Sequence, residues 1–205
     1  KTQVPHLNNL SNFFSGIYPA FQYWIMLSGM YVFLILMGFR PLSAVFGSIT
    51  FGLTTYFPVI IMAGHTSKFF SLAFVPWTFV GYWLLTRTDK RLLGLLAFTA
   101  SFALEMRAGH PQITYYFMFL MGAWWLFDSI QWFKNKEVKK FGIITCILIL
   151  GGVMGILGNA ERTLSQQSYA PYSIRGGSDL SGTTGLDKNY AFAWSQGVSE
   201  TLTLL

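Results

Sequence analysis

The segment "KFFSLAFVPWTFVGYWLLTRTDKR", residues 68–91, decides the fold class of this chain. Its first part, residues 68–86, is apolar and aromatic and approaches the length of about 20 residues that a helix needs to cross a bilayer. The charged group "RTDKR" follows at once, where a chain leaving the hydrocarbon core would meet water. The segment therefore predicts a transmembrane helix that ends in a basic turn.

The composition of the whole chain agrees with this local prediction. The 205 residues are 53% hydrophobic and only 11% charged, against about 25% charged residues in an ordinary soluble domain. So few charged residues leave too little polar surface to cover a core of this size. The composition predicts a multi-pass membrane protein, and we interpret the net charge of +6 as membrane topology rather than affinity for nucleic acid. The single cysteine, Cys146, lies in an apolar run, and we expect it to be a small buried hydrophobic residue.

Together with 68–86, five other apolar runs of similar character give six predicted spans, at 20–39, 42–57, 68–86, 92–106, 111–133 and 141–158. Pro58 is expected to end or kink the second helix, and Pro76 to kink the third, because proline removes a backbone donor. The fourth span is short: its 15 residues rise about 22 Å, against a hydrocarbon core of about 30 Å. We expect one of its ends to stop inside protein or a wet cavity.

Basic residues occupy alternate connections between these spans, in three groups: Arg40, then Arg87, Lys90 and Arg91, then Lys134, Lys136, Lys139 and Lys140. If the spans alternate in direction, these connections share one face, which the positive-inside rule makes cytoplasmic. The sequence thus predicts an extracytoplasmic lead-in at 1–18, a helical bundle at 19–158, and an extracytoplasmic loop or the start of an outer domain at 159–205. The last segment is rich in Gly, Ser, Thr and Asp, and we expect it to be irregular.

The turns on the opposite face carry a repeated Ala-Gly-His unit, in "MAGHTSKFF" (62–70) and "RAGHPQITYY" (107–116), as in a weak helical-hairpin repeat. Its histidines stand near helix starts, where backbone N–H groups and the helix dipole favour an anion. Nearby cations and an amide could contribute to the same site. We predict that a lipid phosphate or diphosphate is bound by His65, Lys68, Arg107, His110 and Gln112.

Structural roles for the same residues stand beside this prediction. Each histidine could simply cap its helix, and Lys68 could extend along the helix to the membrane surface. Glu105 and Arg107 could form an ion pair or contact lipid headgroups. Glu105 is also the one candidate here for a base or a metal ligand, but no second carboxylate lies near it in the sequence, so no metal cage is predicted.

Four strings carry a resemblance to a known family: "AGHTSKFFSLAFVPW", "EMRAGHPQITYYF", "SQQSYAPYSIRGGSDL" and "GLDKNYAFAWSQG". The similarity covers nearly the whole chain, which resembles the YfhO family of bacterial multi-pass membrane proteins. That family is a branch of the GT-C type glycosyltransferases, which use sugars carried on polyprenyl phosphate.

The resemblance implies an all-helical integral-membrane enzyme with a GT-C-like bundle in the bacterial cytoplasmic membrane. It would transfer a sugar, on the outer face, from a polyprenyl-phosphate carrier to a surface glycan, polymer or lipid. The catalytic Asp of such enzymes would lie upstream of Lys1, so we expect this chain to be an internal piece of a longer protein with both ends extracytoplasmic. A divalent cation is compatible with the resemblance. The implied partners are membrane lipid, the lipid-linked sugar and other proteins of a membrane complex, without nucleic acid.

Two other functions fit the same sequence. The helical repeat and the charged residues near membrane depth are also typical of a transporter or flippase for a lipid-linked or anionic solute. A non-catalytic membrane subunit, whose outer turns bind a partner, is the third hypothesis.

Overall fold

The computed structural model describes residues 18–172 of the chain, and this part is helical throughout, without a strand. The helices in chain order are α1 (Ala20–Leu36), α2 (Pro41–Gly52), α3 (Tyr56–Met62), α4 (Thr66–Arg87), α5 (Arg91–Arg107), α6 (Pro111–Lys134), α7 (Val138–Leu157), α8 (Ala160–Tyr169) and a short 3-10 helix (Ala170–Tyr172). The chain divides into two compact units, Lys1–Asn159 and Ala160–Leu205, which are described separately.

Helix α4 lies at the centre of the first unit. It runs antiparallel to α5, and the Thr78 hydroxyl donates to the Ser101 hydroxyl at 3.0 Å between the two helices. Two glycines, Gly81 and Gly94, bring the helices so close that a Cβ at either would meet the backbone of the other helix at less than 3 Å. The tight contact fixes the register of α5 on α4.

Helix α1 runs parallel to α4 on its other side. The Trp77 indole N–H donates to the carbonyl of Ile25 at 2.9 Å, and the ring of Tyr23 packs edge-on against Phe69 with centroids 4.9 Å apart. Helices α1 and α4 therefore begin at the same end of the bundle.

Helix α7 packs on α5 through Gly151 and Gly155, which let it approach the rings of Phe98 and Phe102. The amide of Asn159 fastens the end of α7 by donating to the carbonyls of Ala103, at 2.9 Å, and Gly155, at 3.0 Å. Helix α6 packs less closely on its neighbours than α4 and α5 pack on each other, so a space is left between α5, α6 and α7.

Because the chain reverses direction at each of these turns, the turns lie at two opposite ends of the first unit. Residues 63–65 and 108–110 lie at one end, which we call the histidine end. The turns at 37–40, 88–90 and 135–137 lie at the other, which we call the basic end. The basic connections and the connections with histidine, which alternate along the sequence, thus lie at opposite ends of the first unit.

The second predicted span differs from the structure. It is two helices, α2 and α3, bent by 42° at residues 53–55, and Pro58 lies inside the first turn of α3 instead of ending a helix. A proline is tolerated in a first turn because the N–H it lacks has no partner there. At the break, the Thr54 hydroxyl donates to the carbonyl of Phe51 at 2.6 Å and so competes with the helical backbone pattern.

Within residues 18–172, two helices are long and apolar enough to cross a membrane, α4 and α7, and the bent α2–α3 pair counts as a third if it forms one span. Helices α1 and α5 have 17 residues each. Many large hydrophobic side chains lie on the surface, such as Leu42 at 81% and Phe46 at 73% exposure. Soluble proteins rarely present so much apolar surface, which suits contact with lipid. Cys146 is likewise exposed on α7, contrary to the expected burial.

Helix α8 corrects the expectation that the chain is irregular from residue 159 onward. Ala160–Tyr169 is helical, with a mostly polar sequence and Glu161 in its first turn, where a negative charge complements the helix dipole. The rest of the tail, 173–205, and the lead-in apart from Tyr18 lie outside the described residues.

Candidate functional site

Each Ala-Gly-His unit is a helix-to-helix connection. Gly64 and Gly109 adopt φ values of +75° and +74°, the left-handed conformation that ends a helix and that glycine adopts without strain. His65 and His110 follow at the N-cap positions of α4 and α6, but neither side chain makes a capping hydrogen bond. The simple capping role considered from the sequence is therefore not the role these imidazoles have in the structure.

Three of the predicted phosphate-binding residues come together at the histidine end. Lys68 and His65 lie close enough to His110 for their charges to act on its ring. Partial burial, and next the positive charge of Lys68, lower the pKa of His110 below the ordinary 6.5, with a smaller contribution from His65. His110 is consequently neutral at pH 7, and its buried Nδ1 has no hydrogen-bond partner.

The other two predicted residues are placed differently. Arg107 is exposed at the last residue of α5, one turn from His110 in the chain. Gln112 is exposed on α6, where its amide donates to the Tyr116 hydroxyl of the same helix at 3.5 Å. Gln112 thus faces solvent or lipid, while Arg107 borders the histidine end.

Glu105 is fully buried, at 0% exposure, in the last turn of α5, just before the second histidine turn. The Thr114 hydroxyl of α6 lies beside its carboxyl group, yet neither group has a hydrogen bond of good geometry. A buried carboxyl group without partners is unfavourable and is a common property of functional sites.

Other buried polar groups without partners share this end of the unit. Among the described residues, eight such side-chain atoms occur, and all but Thr99 Oγ1 belong to residues near the histidine end: Tyr18, Gln22, Ser71, Glu105, His110 and Thr114. Buried polar atoms in proteins are normally hydrogen-bonded. Their concentration in one layer marks it as a candidate binding site.

An apolar groove of about 440 Å³ leads towards this layer between α4, α5, α6 and α7. Its lining includes Phe98 and Phe102 from α5 and Met118 from α6. Glu105 follows Phe102 by three residues, and Thr114 precedes Met118 by four, so each lies one turn further along the same helix face. The polar pair therefore lies one helix turn beyond the groove, on the side of the histidines.

The described residues contain no group of three or more His, Cys, Asp or Glu side chains that could hold a metal ion. In the part of the chain that the structure describes, Glu105 is the only acidic residue among the buried groups at the histidine end. This donor set does not fit a divalent cation, and we derive no step through one.

At the basic end, the structure forms a buried network that the sequence did not reveal. Asp128 of α6 is 1% exposed, accepts a hydrogen bond from the Tyr82 hydroxyl at 2.8 Å, and pairs with the Arg87 guanidinium at 2.5 Å. A partnered buried charge of this kind ties α4 to α6 and needs no ligand to explain it.

Comparison with known proteins gives no relative for the chain: no family model, no curated protein and no solved structure matches it.

Proposed function

We propose that this chain is the membrane-embedded part of a glycosyltransferase that takes a sugar from a polyprenyl-phosphate carrier at the outer face of the bacterial cytoplasmic membrane. The observation that supports it is the meeting of two chemistries at one end of the bundle. A cluster of cationic and imidazole groups lies at the histidine end, and an apolar groove is lined by the helices that run to this end. A lipid phosphate has the same two parts, an anionic head and a long apolar chain.

The cations have a definite role in such a transfer. The acceptor oxygen attacks the anomeric carbon, the bond from that carbon to the phosphate oxygen breaks, and the acceptor proton passes to a base. Negative charge gathers on the departing phosphate, which Lys68 neutralises and to which neutral His110 donates a hydrogen bond. The proposal does not assign the role of this base to Glu105.

The proposal has six membrane crossings. Besides α4, α7 and the bent α2–α3 pair, the crossings would be α1, α5 and α6, each of which runs between the basic end and the histidine end. The basic end would face the cytoplasm, because it holds the three groups of basic residues. The two histidine turns would then face outward, where polyprenyl-linked sugars are consumed.

A transporter or flippase for a lipid-linked or anionic solute is the second candidate. Two observations favour it: the break in the second span and the buried, unpartnered Glu105. Broken helices and buried ionisable groups are frequent in transporters. Net movement of a fluorescent lipid-linked sugar between leaflets of proteoliposomes, without sugar transfer, would favour this candidate over the enzyme.

Binding of polyprenyl phosphate to the purified protein in nanodiscs tests the proposal. Lys68→Ala and His110→Ala should each weaken binding about tenfold, the effect of one charge-assisted hydrogen bond. Lys139→Ala is the matched control, because this substitution removes the same charge from an exposed lysine at the basic end. Equal binding by Lys68→Ala, His110→Ala and the control would refute the phosphate site.

A further inference from the structure

We propose that the apolar groove limits how much of the lipid is recognised: it accepts about three isoprene units of the prenyl chain and ends at Tyr82 and Trp125. This inference rests on the proposed function and adds a determinant of specificity to it. Binding should then depend on the isoprene units nearest the phosphate and not on the total length of the chain.

Two hydrogen-bonded aromatic side chains close the groove towards the basic end. The Tyr82 hydroxyl donates to Asp128 at 2.8 Å, and the Trp125 indole N–H donates to the Thr145 hydroxyl at 3.1 Å, which joins α6 to α7. Beyond them, buried side chains of the same core cluster fill the bundle, among them Trp132 at 3% exposure. Within the described part of the chain, no residue of the lining has a buried polar side-chain atom without a partner. The groove therefore fits an apolar chain that enters from the histidine end and stops at these rings.

The length of the groove follows from the helix register. The hydrogen bond from Trp125 to Thr145 places these two residues at one level of the antiparallel helices α6 and α7. The lining of α7 extends from Thr145 to Ile156, a rise of about 16 Å. Three bonds of an extended chain span about 3.8 Å, so the four bonds of an isoprene repeat span about 5 Å. The groove therefore takes about three units, and one more covers the rise of about 6 Å from Thr114, level with Ile156, to His110.

Two glycines give the groove recesses at nearly the spacing of methyl branches. Gly122 and Gly152 line it, and a Cβ added at either would meet nothing within 4 Å. In the same register, Gly122 lies level with Leu148, which is four residues or about 6 Å from Gly152 along α7. An isoprenoid carries one methyl group on each repeat of about 5 Å, so consecutive methyl groups fit the two recesses. A straight alkyl chain leaves the recesses empty and loses those contacts.

The rest of a long prenyl chain has a way out to the side. Ile149 and Val153 belong to the lining and yet are 61% and 46% exposed, so the groove is open on the surface of α7. That surface is apolar and suits contact with lipid. Isoprene units beyond about the fourth would lie in the bilayer and add no contact with the protein.

The experiment measures the binding of four lipid phosphates to the protein in nanodiscs, with each affinity expressed per mole fraction of lipid in the bilayer. Geranyl, geranylgeranyl and octaprenyl phosphate have two, four and eight isoprene units, and hexadecyl phosphate has the length of the geranylgeranyl chain without its methyl branches. Because of the additional packing contacts, we expect geranylgeranyl phosphate to bind about fivefold more tightly than geranyl phosphate and about threefold more tightly than hexadecyl phosphate. Octaprenyl phosphate should bind within about twofold of geranylgeranyl phosphate.

One substitution should shorten the groove from its closed end. Gly122→Leu fills the part next to Trp125, so the gain from two to four units should fall to about twofold or less, with the binding of geranyl phosphate unchanged. Gly142→Leu adds the same side chain to α7 outside the groove and should keep the gain. Lys68→Ala should weaken all four lipids equally, because it acts on the phosphate. If Gly122→Leu does not fold, the series of lipids on the wild type decides alone.

The outcomes separate this inference from the proposed function. Equal affinity at all three prenyl lengths, or an affinity that keeps rising from four to eight units, refutes the length limit. Equal binding of hexadecyl and geranylgeranyl phosphate shows that the groove takes any lipid chain and refutes the selection of a prenyl chain. In these cases the phosphate site still stands if Lys68→Ala weakens binding. If Lys68→Ala has no effect while the length limit is observed, the groove assignment stands and the phosphate site is wrong.

Discussion

Glu105 is the residue at which stability and function are expected to diverge. Its carboxyl group is fully buried, with the Thr114 hydroxyl beside it but without a hydrogen bond of good geometry. Leaving a buried polar group unsatisfied costs about 1–3 kcal/mol. A residue that carries this cost is more readily explained by a ligand than by packing.

We therefore expect Glu105→Met to stabilise the protein by about 1–3 kcal/mol while it lowers sugar-lipid binding, because methionine fills the same space without polar atoms. Thermal unfolding in detergent measures the change. Ser101→Ala serves as the contrasting control, since the Ser101 hydroxyl is buried and hydrogen-bonded to Thr78, and its loss should destabilise. A Glu105→Met variant that is less stable than the wild type would show that the carboxyl group has a structural partner.

His110 gives a prediction about pH. Its pKa in the folded protein is lowered, by burial first and by Lys68 next, so between that value and the unfolded value near 6.5 the unfolded state binds more protons. Stability therefore rises with pH through this window, and it is lost as the pH falls below about 6.5.

The difference in unfolding temperature between pH 7.5 and pH 5.5 should thus be smaller in His110→Gln than in the wild type. Lys68→Gln should reduce it as well, because the repulsion that lowers the pKa is gone, whereas Lys139→Gln should leave it unchanged. Identical pH profiles for wild type and His110→Gln would contradict the geometry of the cluster.

At the scale of elements, the α4–α5 pair is the scaffold that holds the polar layer. A Cβ at Gly81 would lie 2.6 Å from the Phe98 Cα, and this backbone atom cannot move away as a flexible side chain could. Gly81→Ala should therefore destabilise the protein by about 1–3 kcal/mol. Gly142→Ala, where a Cβ meets nothing within 4 Å, should be neutral or stabilising by up to about 1 kcal/mol. Equal unfolding temperatures for the two variants would mean that α4 and α5 do not pack this closely.

The groove between α5, α6 and α7 can be closed with one substitution. Gly152 lines it, and an added Cβ meets nothing within 4 Å, so Gly152→Leu should fit and fill part of the space. We expect binding of polyprenyl phosphate to fall at least about tenfold, as expected for loss of a few buried methylene contacts. Gly142→Leu adds the same side chain to the same helix outside the groove and should bind normally. Unchanged affinity in Gly152→Leu would place the lipid chain elsewhere.

The sequence predicted the helices well because apolar runs interrupted by Gly, Pro and charges mark them directly. It placed the break in the second span at Pro58, although the structure breaks at residues 53–55, since a proline in a first turn is compatible with a helix. The sequence did not predict which helices pack against each other. The contacts of Gly81 and Gly151 depend on which faces meet, and a single sequence without a partner helix does not specify that.

The candidate site was predicted in part for the same reason. Basic residues in short turns are conspicuous between apolar runs, so His65, Lys68 and His110 could be predicted from the sequence. Gln22, Ser71 and Thr114 are isolated polar residues within hydrophobic helices, where they more often face solvent or their own backbone. Only the register of four helices shows that they share a layer with Glu105.

At the scale of the whole molecule, the proposed function requires the histidine end to face the outside of the cell. Labelling with a membrane-impermeant thiol reagent tests this in a Cys146→Ala background, which removes the one native cysteine. Thr66→Cys, beside the first histidine turn, should react in intact cells, because it is exposed at the histidine end. Asn135→Cys, exposed at the basic end, should react only after permeabilisation. The reverse pattern would invert the topology and remove the basis for an outer-face activity.

The most direct test of the central claim is an electron cryomicroscopy structure of the protein in nanodiscs with added polyprenyl phosphate. The phosphate should lie within hydrogen-bonding distance, about 3 Å, of Lys68 and His110, with the chain passing over Phe102 and Met118. Density for the phosphate at the basic end, beside Arg91 or Lys134, would contradict the proposed site.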